Sequence, residues 1–229
     1  MNDDQWALTN FQSRARLFPL PNLVLFPHVV QPLHVFEPRY RQMTADALGG
    51  DRLITLALLK PGWEDAGTKP PDLHPVACLG RVVADQLLPD GRYNLLLRGL
   101  SRARIVEEVD SGKMYRSARV ELLADQAPPL ADAKVLRLKL SDVVLPRFAA
   151  TGPALEQLRE LFQGELPLGA LCDILSFALP VSLDYKQALL EEVEVDKRVS
   201  LLFDALEATP AAKTVASGDR KFPPDFSPN

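Results

Sequence analysis

Two apolar periods divide the chain. Up to about residue 123, short apolar runs alternate with polar positions and are cut by proline and glycine. Beyond Ala133 the apolar spacing widens to about 3.6, the period of a helix with one buried face. The first half therefore predicts strands and the second predicts helices.

The segment LFPLPNLVLFPHVVQPLHVFEP, from Leu17, has prolines at 19, 21, 27, 32 and 38. Proline gives no donor to a ladder, so strands here must be short or lie at edges and bulges. Leu23–Phe26 and Leu33–Phe36 are the expected strands. Pro38 suits the first turn of a helix that runs to Leu48 and ends at Gly-Gly-Asp, 49–51. Arg52–Leu59 predicts a buried strand, and Lys60–Pro75 a long loop. ACLGRVVADQLL, RYNLLLRGLSRARIVEEV and YRSARVELL follow at hairpin spacing, with Pro-Asp-Gly at 89–91 as the turn. Residues 17–123 thus predict an antiparallel sheet or small barrel with one embedded helix, within a β-rich domain spanning 12–125.

Composition shifts at ADQAPPLADA, Ala124–Ala133. Helices are expected over Ala133–Phe148, Pro153–Phe162, Leu168–Leu179 and Asp184–Ala208, the last broken near Glu194. Leu171, Ile174, Leu175 and Ala178 form one stripe; Val195, Val199, Leu202 and Leu206 form another. Residues 130–208 predict a helical bundle. Residues 209–229, rich in Pro, Ser, Lys and Asp, predict a disordered tail.

Composition narrows the function classes. The 229 residues are 47% hydrophobic and 24% charged, as in a soluble globular protein. Net charge is −4, and residues 1–125 carry 15 basic against 15 acidic groups. No bulk positive field therefore draws the chain to nucleic acid or anionic lipid. The longest plain apolar run, Leu53–Leu59, is far short of a membrane span. The acidic N-terminus has no signal core. Cys78 and Cys172 predict two buried thiols in a reducing compartment, which places the chain in the cytoplasm.

Candidate chemistry is sparse. Gly62–Lys69 nearly spells a phosphate-binding loop, but Thr68 and Lys69 stand in reversed order and Pro70-Pro71 forbid the helix that must follow. Ser101, in GLSRA, lacks the second glycine and the strand-to-helix turn of a nucleophile elbow. His28, His34 and His74 have no helical spacing for a metal. No catalytic, cofactor or metal residue is assigned. Arg98, Arg102 and Arg104 share parity, so on an unbroken strand they face one side. With Arg92, Arg116, Arg119, Tyr93 and Tyr115 nearby, they define the alternative reading, a nucleic-acid face that binds RNA. Acidic residues at 107, 108 and 110 weigh against it.

LHVFEPRYRQM, Leu33–Met43, predicts a structural corner. Phe36 is expected to anchor it in the core, and Glu37 to pair with Arg41 for about 0.3–0.5 kcal/mol. Tyr40, Met43 and Ala47 should face the sheet.

These residues also carry a resemblance. LFPLPNLVLFPHVVQPLHVFEPRYRQMTADAL is similar to the opening of the N-terminal domain of Lon proteases. PDGRYNLLLRGLSRARI resembles that domain's later hairpin, and LCDILSFALPVSLDYKQALLEEVEVDKRV its helical part, together over about residues 14–208. A departure is Glu194, where the family often has an aspartate opening the last helix. The resemblance implies an α+β fold: an antiparallel six-stranded PUA-like pseudo-barrel followed by an α-helical bundle. It also implies a stand-alone, non-catalytic module that binds unfolded or extended polypeptide segments, with a separate protease or chaperone as a further partner. Phe26, Val29 and Val30, in a proline-bounded segment, are the candidate peptide contacts.

Overall fold

The computed structural model describes residues 3–65, 69–147 and 153–208. Their contacts separate into two units, one ending at Ala124 and one beginning at Asp125. The expected tail, 209–229, lies outside the described residues.

The first unit opens with α1 (Asp3–Thr9) and contains β1 (Arg14–Leu20), β2 (Val30–Val35), α2 (Pro38–Leu48), β3 (Leu53–Leu58), β4 (Val76–Leu87), β5 (Tyr93–Val109) and β6 (Ser117–Leu123). Strand order is β2-β5-β4-β3-β1-β6, and β6 also pairs with β5. Five strands thus form a closed ring, and β2 lies outside it. β5 makes both arrangements possible. Its first part, Tyr93–Arg98, pairs with β2, and its second, Arg102–Val109, pairs with β6.

The class is α+β with six strands, as expected, but the sheet is mixed. β1 runs parallel to β3, with Leu17 opposite Thr55 and Leu20 opposite Leu58. This strand was not among those expected, because Pro19 and Pro21 read as breaks. Conversely, Leu23–Phe26 form no strand. Val24, Leu25 and Phe26 are buried but irregular, bracketed by Pro21 and Pro27. α2 has the expected bounds and buries Tyr40, Met43, Thr44 and Ala47. Every residue of β3 is buried. The helix α1 was also unforeseen. Ala7 joins a core of Ala15, Leu17, Leu53, Leu79, Ala103, Ala118 and Val120. Asp3 and Asp4 reach Arg81 at 3.0 and 3.3 Å.

Where β5 passes from β2 to β6, the backbone of Phe26 presses on Gly99. A methyl group there would overlap the Phe26 carbonyl oxygen and lie 2.8 Å from its carbon and 3.1 Å from Cys78 Sγ. His28 N–H donates to the Gly99 carbonyl at 3.0 Å, and Gly99 N–H to the Val29 carbonyl at 2.8 Å. His28 takes a φ of 67° after Pro27, a turn conformation that glycine or asparagine more commonly fills.

The second unit is helical: α3 (Leu130–Val144), a 3-10 turn at Leu145–Arg147, α4 (Pro153–Gln163), α5 (Leu168–Ala178), α6 (Leu183–Glu191) and α7 (Val195–Ala208). The break near Glu194 falls as expected. Val195, Val199, Leu202 and Leu206 are buried. In α5, Leu171 and Leu175 are buried, Ile174 partly so, and Ala178 is exposed. The stripe there is not the whole contact, since Cys172, Asp173 and Ser176 are buried as well.

An ion cluster sits at the centre of this unit. Arg198, fully buried, donates to Asp125 at 2.6 and 3.0 Å, to Asp173 at 3.3 Å and to the Glu192 carbonyl at 2.7 and 2.9 Å. Burial pulls the Arg198 guanidinium down in pKa, but the hydrogen bond to Asp125 and the charge of Asp173 outweigh it and hold it above its ordinary value. Removing one partner of such a cluster leaves a charge uncompensated away from water.

Gly99→Ala is expected to destabilise the protein, because backbone atoms rather than a flexible side-chain end meet the added methyl. Overpacking of this kind costs about 1–3 kcal/mol. Thermal unfolding followed by circular dichroism checks it; an unchanged midpoint contradicts the account of the Phe26 contact.

Candidate functional site

The open side of β2 is the candidate site. Among the described residues no strand pairs with its outer edge, while its inner edge runs antiparallel to β5, from Val30 opposite Arg98 to Val35 opposite Tyr93. An unpaired edge offers backbone donors and acceptors to another chain. Pro32, midway, removes one donor and so limits uncontrolled pairing.

Side-chain alternation sorts the strand into two faces. Leu33 and Val35 point inward and are buried. The other parity gives Val30, Pro32, His34 and, just past the strand, Phe36. Val30 is 41% exposed and Phe36 36% exposed. The expected core anchor is thus an outward aromatic: with Val35 inside, the next residue turns out. The Phe36 ring stacks near His34, with centroids 6.2 Å apart. His34 Nδ1 is 2.8 Å from Asn94 Oδ1, on the facing strand.

A shallow dimple lies at the end of this stripe, between Phe18, Leu20, His34, Phe36, Glu37 and Tyr40. Its floor is aromatic, with Phe18 and Tyr40 centroids 4.5 Å apart. Burial pushes the Tyr40 phenol above its ordinary pKa, against the pull of Arg39, so it stays a neutral hydroxyl at physiological pH. The Arg39 guanidinium lies 4.5 Å over that ring and donates to Glu37 at 2.9 Å. The expected Glu37–Arg41 pair is replaced by Glu37–Arg39. Glu37 caps the helix in extended conformation, φ −65° and ψ 137°, so helical i,i+4 geometry does not govern its side chain.

The three sequence candidates part company. Phe26 is fully buried and Val29 is 8% exposed, so both support the turn from beneath; Val30 alone among them faces outward. Phe36 and His34 join Val30 on the stripe. Period-two parity, counted from a β2 register that includes Val35, carries the signal for both.

The alternative arginine face does not assemble. The register of β4 against β5 shifts between Leu79 and Gly80, passing over Leu100, and this bulge breaks the parity of Arg98 with Arg102. Arg102 is 2% exposed. Arg98 meets Asp4 at 3.2 Å, Arg104 meets Glu121 at 3.4 Å and Arg119 meets Glu107 at 3.0 Å. Arg116 binds Glu108, and Tyr115 donates to Asp46 at 2.9 Å.

Elsewhere, Ser101 Oγ donates to the neighbouring Arg102 carbonyl at 3.1 Å. Cys78 and Cys172 are buried free thiols. No group of three or more His, Cys, Asp or Glu stands in a metal-holding arrangement among the described residues. No described helix is long and apolar enough to cross a membrane.

Comparison with known proteins agrees with this architecture. Residues 14–208 match the family described as the ATP-dependent protease La (LON) substrate-binding domain. The chain belongs to that family. It is 29% identical over 187 residues to a Lon protease of Xanthomonas oryzae pv. oryzae, covering 81% of this chain and 22% of that one. It is 25% identical over 189 residues to a Lon protease of Dictyoglomus thermophilum, covering 80% and 23%. The chain thus spans about a quarter of the length of these relatives. The N-terminal domain of a Mycobacterium avium complex Lon protease has the same fold, with a TM-score of 0.63 at 17% identity over 85% of this chain and 98% of that one. A Lon N-terminal domain protein from Xanthomonas campestris gives 0.59 at 21% identity, over 83% and 97%.

Phe36→Ala is expected to cost about 1 kcal/mol or less, against the roughly 3–5 kcal/mol of a buried phenylalanine. Chemical denaturation measures it. A loss in the buried range would place Phe36 in the core after all.

Proposed function

We propose that the chain is a non-catalytic polypeptide-binding module that takes up extended apolar segments along the outer edge of β2. The observation that carries this is the pairing of an open edge with an outward apolar stripe, Val30 to Phe36, in a chain of the substrate-binding family. An added strand gains backbone hydrogen bonds at the two sides of Pro32, and its alternate side chains meet Val30 and the dimple beside Phe36. Phe26 and Val29 keep the turn into β2 rigid from below. Affinity is of micromolar order, because a flexible segment loses conformational entropy when it is ordered.

The module holds and does not process its partner. Neither the Gly62–Lys69 segment nor Ser101 has the residue order its chemistry needs, and no cofactor is required. A separate protease or chaperone acts on what is held. Two buried cysteines with no disulfide suit the reducing cytoplasm.

Capture of fluorescein-labelled unfolded casein, read by anisotropy, tests this. The Val30→Lys, Phe36→Ser double variant is expected to bind at least tenfold more weakly while its melting midpoint falls by no more than about 2–4 °C. Binding of the wild type should change little between low and high salt, unlike a phosphate contact. Full binding by the double variant contradicts the assignment of the β2 edge.

A further inference from the structure

A second concave surface lies on the first unit, away from the β2 stripe. It is a cleft of about 630 Å³, within the size range of small-ligand sites, between α1, the outward residues of β1, the turn after α2 and the loop joining β5 to β6. Its polar groups are unevenly satisfied. Arg16 donates to Asp51 at 2.6 Å and to the Leu53 carbonyl at 3.2 Å. Lys113 lies 3.0 Å from Asp46, whose carboxylate also accepts from Tyr115. Although burial raises the Asp46 pKa, these two hydrogen bonds hold it below the ordinary carboxylate range, so it stays charged and spent on Lys113.

Arg14 differs. It shares the outward parity of Arg16, is exposed, and enters no ion pair or side-chain hydrogen bond among the described residues. Its strand neighbour Arg119 is turned to Glu107 and does not line the cleft, so that second cation is spent elsewhere. Ser13, before it, holds a φ of 58°, which orients the entry to β1. Trp6 of α1 lines the same cleft and keeps 58% of its surface in water. Ala7, next to it, already supplies the core contact.

One unspent guanidinium and one exposed indole lining a single cleft match one carboxylate attached to an apolar side chain. We infer that this cleft binds the carboxylate-bearing end of a polypeptide, Arg14 taking the carboxylate in a two-pronged hydrogen bond and Trp6 covering the adjoining apolar side chain. The inference rests on the polypeptide-binding reading and adds a second contact to it. A singly charged ligand fits better than a phosphate dianion, because Arg16 and Lys113 are already neutralised by Asp51 and Asp46. The guanidinium fork matches a planar carboxylate in geometry as well as charge.

The test uses the full chain and three fluorescein-labelled octapeptides of alanine ending in leucine: the free acid, its C-terminal amide, and the amide with an aspartate before the leucine. The free acid is expected to bind at least fivefold more tightly than the plain amide; the aspartate peptide separates a terminal from a side-chain carboxylate. Arg14→Glu should abolish the preference for acid without moving the melting midpoint, and Trp6→Ala should weaken acid binding several-fold. Equal binding of acid and amide overturns the inference and leaves the β2 assignment standing. So does an acid preference that survives Arg14→Glu, or displacement of the peptide by inorganic phosphate at concentrations where acetate has no effect. If no octapeptide binds while casein capture persists, the cleft is likewise not a polypeptide site. If casein capture fails but the acid preference holds, it is the β2 assignment that falls.

Discussion

The close approach of the Phe26 backbone to Gly99 governs the first unit. β5 carries two partners in succession along one edge, and the exchange from β2 to β6 happens where no side chain separates the strand from the chain crossing it. Glycine permits that crossing because it has no Cβ. The hydrogen bonds of Gly99 with His28 and Val29 then fix where β2 begins. Once its start is fixed, so is its parity, and a slip of one residue would move Val30 and Phe36 inside and Leu33 and Val35 out. The candidate site is therefore set by a backbone contact that includes none of its own side chains.

Much of the fold was legible. Pro38 as an opening residue and Gly49 as a stop delimit α2, and the uniformly apolar Leu53–Leu58 marks β3. In the second unit the 3.6 period placed α3 to α7 within a few residues. What escaped has physical reasons. β1 contains Pro19 and pairs in parallel with β3, a partnership set by tertiary closure and not by local pattern. Leu23–Phe26 has strand composition but lies between prolines and spends its apolar surface as buried coil. Arg198 carries a charge in a position that hydropathy assigns to the surface; Asp125 and Asp173, far off in sequence, together with the Glu192 carbonyl, make its burial tolerable.

The candidate site was legible in part. A proline-bounded segment with spare apolar residues pointed to the stretch that enters β2, and Val30 there is outward. Phe26 and Val29 are not, because the depth of a turn depends on what it crosses. Phe36 went unrecognised for the opposite reason: an aromatic at the end of an apolar run reads as core until the register is known. The arginine face failed at the Leu100 bulge, an inserted residue that no alternation pattern reveals. Apart from Arg14, the exposed or half-buried strand arginines are each matched to a carboxylate. That leaves apolar contact and backbone pairing as the chemistry available on the β2 side.

On the proposed function, the free edge of β2 receives another polypeptide as an added strand. Amide hydrogen exchange, followed by mass spectrometry with and without saturating unfolded casein, tests it most directly. Slower exchange is expected in the peptide covering Val30–Val35, with β3 and β4 unchanged. Binding that leaves β2 exchange untouched while protecting another surface would contradict it.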